Sequence, residues 1–147
     1  MNKHLLRILV AALLLLWAES ALAVERAYAP QTSNAGGVKV TVTLQSFPSD
    51  AKTLDFAVTM ETHTHPLNDR MENVSVLVAD GKQYPPLAWE GSARGGHHRK
   101  GMLRFNAISP RPSVVELQIS LEGDTAARTF RWPLRLTGSG KGAGYGQ

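Results

Sequence analysis

Val38-Lys39-Val40-Thr41-Val42-Thr43-Leu44 alternates apolar and polar residues without a break. A period of two puts the valines and Leu44 on one side of an extended chain and Lys39, Thr41 and Thr43 on the other, the pattern of a half-buried strand. The same pattern recurs downstream. Leu54, Phe56, Val58 and Met60 form an inward row opposite Asp55, Ala57, Thr59 and Glu61. Val115, Leu117, Ile119 and Leu121 form another, and Phe130, Trp132, Leu134 and Leu136 the last, with Arg131 and Arg135 outside. Residues 73–79 are rich in valine and read as a central strand. Asp80-Gly81 is a tight-turn signal that pairs it with residues 82–90 as a hairpin. Pro85-Pro86 interrupts that second arm and marks it as an edge or irregular strand. Residues 102–106 put Leu103 and Phe105 on one face. With no 3.6-residue apolar period after the N-terminal segment, seven short strands predict an all-β fold: an antiparallel immunoglobulin-like β-sandwich of about seven strands. A small barrel is the alternative.

The two ends read differently. Lys3 and Arg7 precede an apolar run over residues 8–18, and Ala21-Leu22-Ala23 supplies a small-x-small cleavage pattern. Residues 1–23 therefore read as a signal peptide. The run is shorter than the roughly 20 residues a spanning helix needs, so no membrane span is expected after cleavage. Residues 24–37 lack any apolar period and read as a flexible lead-in, residues 38–137 as the β-sandwich domain, and the glycine-rich residues 138–147 as a disordered tail. The expected location is periplasmic or secreted.

Cleavage removes two of 16 basic and one of 12 acidic residues, leaving a net charge of +3 with neutral histidines. That mild excess, on an exported chain, argues against nucleic acid as a partner. The chain has no cysteine. Burial must then stabilise the fold without disulfides, and any metal must be held by His, Met or carboxylate.

Four of the five histidines fall in two short segments, Met60-Glu61-Thr62-His63-Thr64-His65 and Gly95-Gly96-His97-His98-Arg99. His63 and His65, two apart on a strand, leave the same face about 7 Å from each other. Adjacent His97 and His98 point oppositely in a regular strand, and both serve one ion only where Gly95-Gly96 bends the backbone. Imidazole with thioether (Met60 or Met102) and without thiolate favours copper, and imidazole alone also accepts zinc or nickel. The expectation is an exported, non-enzymatic domain that binds a transition metal, copper first and zinc second, through His63, His97 and His98, with His65 auxiliary. The plain alternative is that these rings are polar surface or bond backbone carbonyls, with Met60 packed in the core.

Catalysis has less support. Ser92 lies near His97 in sequence, but no nucleophile elbow or oxyanion hole is evident, and no enzyme activity is expected. The competing expectation is a metal-free module that docks on another envelope protein through Trp89, Arg94 and Arg99. Arg94, Arg99, Lys100 and Arg104 also suggest a basic patch.

The residues Glu61-Thr62-His63, Trp89-Glu90-Gly91 and Gly95-Gly96-His97-His98-Arg99-Lys100-Gly101 carry a resemblance. Over roughly residues 53–106 the chain resembles a group of small exported prokaryotic β-domain proteins of uncharacterised function. Their pattern is Thr-His, then Trp-x-Gly, then Gly-Gly-His-His-Arg-x-Gly leading into a strand. The resemblance implies an exported β domain with His63, His97 and His98 as the shared histidines. A Ser commonly stands at the position of His65. A looser similarity links the chain to periplasmic copper carriers with His/Met sites on β-sandwiches, at the level of fold.

Overall fold

A computed structural model of the chain describes residues 28–45, 47–48 and 50–134. Residues 1–27, 46, 49 and 135–147 lie outside the described residues, and with them the expected signal peptide and glycine-rich tail. The chain forms two antiparallel sheets packed face to face, the sandwich expected from the alternation. In chain order the strands are β1 (Gln31–Ala35), β2 (Val38–Leu44), β3 (Thr53–Thr62), β4 (Ser75–Ala79), β5 (Lys82–Tyr84), β6 (Ala88–Gly91), β7 (His98–Asn106), β8 (Val114–Ile119) and β9 (Arg128–Pro133). One sheet has the order β1-β2-β3-β7-β6 and the other β5-β4-β8-β9. With β2 as the first letter, that is the A-B-E-D and C′-C-F-G arrangement of an immunoglobulin-like sandwich.

The described residues hold nine strands rather than seven, and each departure has a local cause. The supposed lead-in contributes β1, residues 31–35, which pairs with β2 across Gly36-Gly37. Both glycines have positive φ, +54° and +77°, as a two-residue hairpin turn requires. An edge strand of Gln, Thr, Ser, Asn and Ala buries little, so it leaves no apolar period to read. The arm over 82–90 splits at Pro85-Pro86. β5 pairs with β4, and β6 crosses to the opposite sheet to pair with β7. Residues 73–79 also divide: Met71–Val74 makes one helical turn, α1, which buries Met71, and β4 begins at Ser75. Finally, β7 starts at His98 rather than 102, because its first inward positions are Arg99 and Gly101, which carry no apolar signal.

The core lies between the sheets. Val40, Val42, Leu44, Leu54, Phe56, Val58, Met60, Leu103 and Phe105 meet Leu77, Val115, Leu117, Ile119, Phe130 and Trp132, all essentially inaccessible. Phe56 sits at its centre, edge-on to Phe105 at 5.7 Å and tilted against Trp132 at 5.3 Å. Aromatic contacts of this kind add about 0.5–1.5 kcal/mol beyond their buried area. Along one flank the sheet edges are joined by a side chain. Gln31 accepts from the Arg131 N–H at 3.0 Å and donates to the Arg131 carbonyl at 2.7 Å, imitating a strand partner for β9. Among the described residues no helix is long and apolar enough to cross a membrane.

Candidate functional site

The two histidine segments meet. β3 and β7 run antiparallel with Glu61 opposite His98, and the Thr62 N–H donates to the His97 carbonyl at 2.9 Å. Beyond the strands the stitching continues: Leu67 N–H donates to Gly96 C=O at 2.9 Å, and Gly95 N–H to Leu67 C=O at 2.8 Å. Gly95 and Gly96 have φ of +97° and +71°, a bend other residues adopt only with strain. His63, His65, His97 and His98 are all exposed at this end of the sandwich.

The bonds around them are modest. His65 Nδ1 lies 2.8 Å from Thr64 Oγ1. Glu61, beside His98 on the outer face, pairs with Lys39 at 3.6 Å, and both side chains are well exposed. Thr62 Oγ1 is buried and donates to the Gly37 carbonyl at 3.0 Å, fixing the β1–β2 turn against the end of β3. A groove of about 510 Å³ beside that turn is lined by Gly36, Gly37, Lys39, Glu61 and His63. Among the described residues no three His, Asp or Glu side chains form a group that could hold a metal ion. Met60 is fully buried in the core, whereas Met102 faces outward opposite Ala57 and Glu90. A thioether ligand from Met60 is therefore ruled out by its direction.

Arg99 corrects one sequence expectation. The sequence places it with Trp89 and Arg94 on an exposed docking surface, yet it is only 2 % exposed. It occupies the inward position opposite Met60. Its Nη1 donates to the carbonyls of Asp69 at 2.7 Å and Leu67 at 3.2 Å, and Nη2 reaches the Ser92 carbonyl at 3.5 Å. The guanidinium carbon lies 5.6 Å from the Trp89 ring centre, within the range of a cation–π contact. Leu67 C=O also accepts from Gly95 N–H, and Ser92 C=O from the Trp89 indole, so the guanidinium ties together loop ends whose carbonyls lie outside both sheets. Burial pushes its pKa down, and Arg94 adds to this, while Asp69 and Glu72 oppose it. Arg94 is exposed and Trp89 half-buried, as a surface role requires.

Trp89, Gly91, Arg99 and Gly101 thus form one structural clasp. A Cβ on Gly101 would lie 2.7 Å from Glu90 O, 2.7 Å from Trp89 Cζ2 and 2.8 Å from Gly91 Cα, and one on Gly91 would lie 2.5 Å from Gly101 Cα. The bare backbones let β6 and β7 approach and leave room for the indole, whose Nε1–H donates to the Ser92 carbonyl at 3.1 Å. The Trp-x-Gly and Arg-x-Gly elements are accounted for by packing. The histidines between them are not, because none is buried.

Sequence reasoning also passed over Arg128. It is 4 % exposed, and it reaches from β9 to the carbonyls of Val38 and Ala35, both at 2.8 Å, while Asp124 binds its other side. The available signal was parity: Arg128 falls in the inward row with Phe130 and Trp132, as Arg99 does with Leu103 and Phe105.

No family model matches the chain, and no curated protein matches it. Among solved structures, it is similar to MPT63, a secreted protein from Mycobacterium tuberculosis, with 14% identity and a TM-score of 0.41 over 71% of this chain and 92% of that one.

Proposed function

We propose that the chain is an exported, non-enzymatic binding domain, periplasmic or secreted, whose working surface is the histidine-bearing end of the sandwich. Its ligand on this reading is a transition-metal ion, copper first and zinc second, taken by His63, His97 and His98 with His65 auxiliary. The observation that carries it is the joining of β3 to β7, which sets Glu61 against His98 and ties Thr62 to His97. Four exposed imidazoles then share one end without a packing role. Because no three donors are gathered beforehand, binding draws exposed side chains together and costs rotamer freedom.

The second reading is a metal-free module that docks on another envelope protein, through the half-buried Trp89 and exposed Arg94 beside the same loops. The lack of a gathered donor group among the described residues favours it. Titrating the purified protein with Cu(I), Cu(II) and Zn(II) separates the two. The metal reading requires saturable binding that His97→Ala/His98→Ala abolishes. Equal, millimolar-range affinity in both proteins ends it.

A further inference from the structure

The charge of Arg99 is buried without a carboxylate in contact, although Asp69 and Glu72 act on it from a distance. Among the described residues it forms no ion pair, and its Nε, inaccessible to solvent, has no hydrogen-bond partner. A guanidinium does not shed its proton, and a buried charge held only by carbonyl dipoles remains costly. Directly beside it opens a shallow cleft of about 270 Å³, lined by Arg70, Glu72, Trp89, Ser92, Arg94 and Arg99 among others. Three guanidiniums face one carboxylate there, and Arg70 and Arg94 are both exposed and absent from every ion pair among the described residues.

We propose that this cleft is a binding site for a single small oxyanion, a carboxylate or a phosphate, held by Arg70 and Arg94 beside Trp89 and supplying the negative charge that Arg99 lacks. The volume falls just below the range of drug-sized pockets, which suits a group of a few heavy atoms. Planar forks of N–H donors match such an oxyanion, and an indole beside them suits an aromatic carboxylate. Glu72 on the same wall repels a ligand of high charge and limits the site to one anionic group. Burial lowers the Arg99 pKa and Arg94 adds to this, while Asp69 and Glu72 oppose it only in part, so a further anion would act in the same direction as those carboxylates. The cleft adjoins the histidine end but shares no residue with the histidine set, and it does not depend on metal binding there.

The test titrates the purified protein, at constant ionic strength, with inorganic phosphate, acetate and benzoate, following the Trp89 indole N–H by NMR. Saturable shifts are expected. Arg94→Gln and Arg70→Gln each weaken binding by about fivefold or more, Glu72→Gln strengthens it, and His97→Ala/His98→Ala leaves it unchanged. Tighter benzoate assigns the site to aromatic carboxylates, and tighter phosphate assigns it to phosphate groups. No saturable shift with any of the three anions overturns the proposal, as does an affinity that Arg94→Gln and Arg70→Gln leave untouched.

Discussion

Asp124 grips Arg128 at two points, Oδ2 receiving Nε–H at 2.8 Å and Oδ1 receiving Nη2–H at 2.7 Å, with the two side chains 4 % and 2 % exposed. The guanidinium's remaining hydrogens go to the β1–β2 hairpin, so Arg128, held by Asp124, couples the two sheets. Removing the carboxylate leaves an uncompensated buried charge. Asp124→Ala is expected to cost about 3–5 kcal/mol, read as a lower urea midpoint with the slope retained.

The same pair sets an acid limit. Hydrogen bonding to Arg128, opposed by burial and aided by the Leu121 N–H, holds the Asp124 carboxyl below its ordinary pKa. A depressed folded value means the stabilisation is complete above the unfolded value of about 3.9 and is lost as pH falls through the folded one. Unfolding free energy measured from pH 5 down to pH 2 should therefore fall in the wild type. Asp124→Asn should start lower and fall less steeply over that window.

Close approach at β6–β7 makes Gly101→Ala a severe substitution despite its size. Two of the three atoms its Cβ would strike belong to the backbone, and overpacking of this kind costs about 1–3 kcal/mol. Chemical denaturation should show that loss, with tryptophan emission changed in the native state as the Trp89 ring is displaced.

Arg99→Ala should cost a comparable or larger amount, about 2–4 kcal/mol, because it removes three charge-assisted hydrogen bonds and the contact with Trp89. Arg99→Lys should rescue little, since one ammonium cannot span the Leu67, Asp69 and Ser92 carbonyls as a planar fork does. Thermal melts of the two variants check the ranking.

The histidines should behave in the opposite way. His97→Ala/His98→Ala alters exposed side chains whose local backbone bonds do not involve the rings, so stability should stay within about 0.5 kcal/mol of wild type. A larger loss in the same denaturation assay would mean the rings have a structural role.

Much of the sandwich was legible before any coordinates. β2, β3, β8 and β9 carry alternating apolar rows, and Asp80-Gly81, with φ of +50° and +73°, marked the β4–β5 turn. What alternation cannot reveal is which sheet a strand joins. Pro85-Pro86 signalled a break, but the crossing of β6 to the other sheet depends on tertiary pairing with β7. β1 left no trace because an edge of polar residues buries almost nothing. At the candidate site, the meeting of the two histidine segments was anticipated, and the solvation of the rings was the alternative kept beside it. Arg99 is misplaced by the sequence and Arg128 passed over for one reason: a buried arginine is satisfied by carbonyls from distant loops, and no local pattern announces those partners.

The pairing of β3 with β7 also has a kinetic consequence. Thr53 lies opposite Asn106 and Glu61 opposite His98, so the middle of the larger sheet closes a long excursion of chain that includes β4, β5 and β6. Local hairpins form in about 1–10 μs, whereas folds dominated by such distant pairings take milliseconds to seconds. The histidine-bearing end is created by that late closure. A newly folded hairpin has none of it, and on the metal reading a binding assay begun during refolding should gain signal only once β3 has paired with β7.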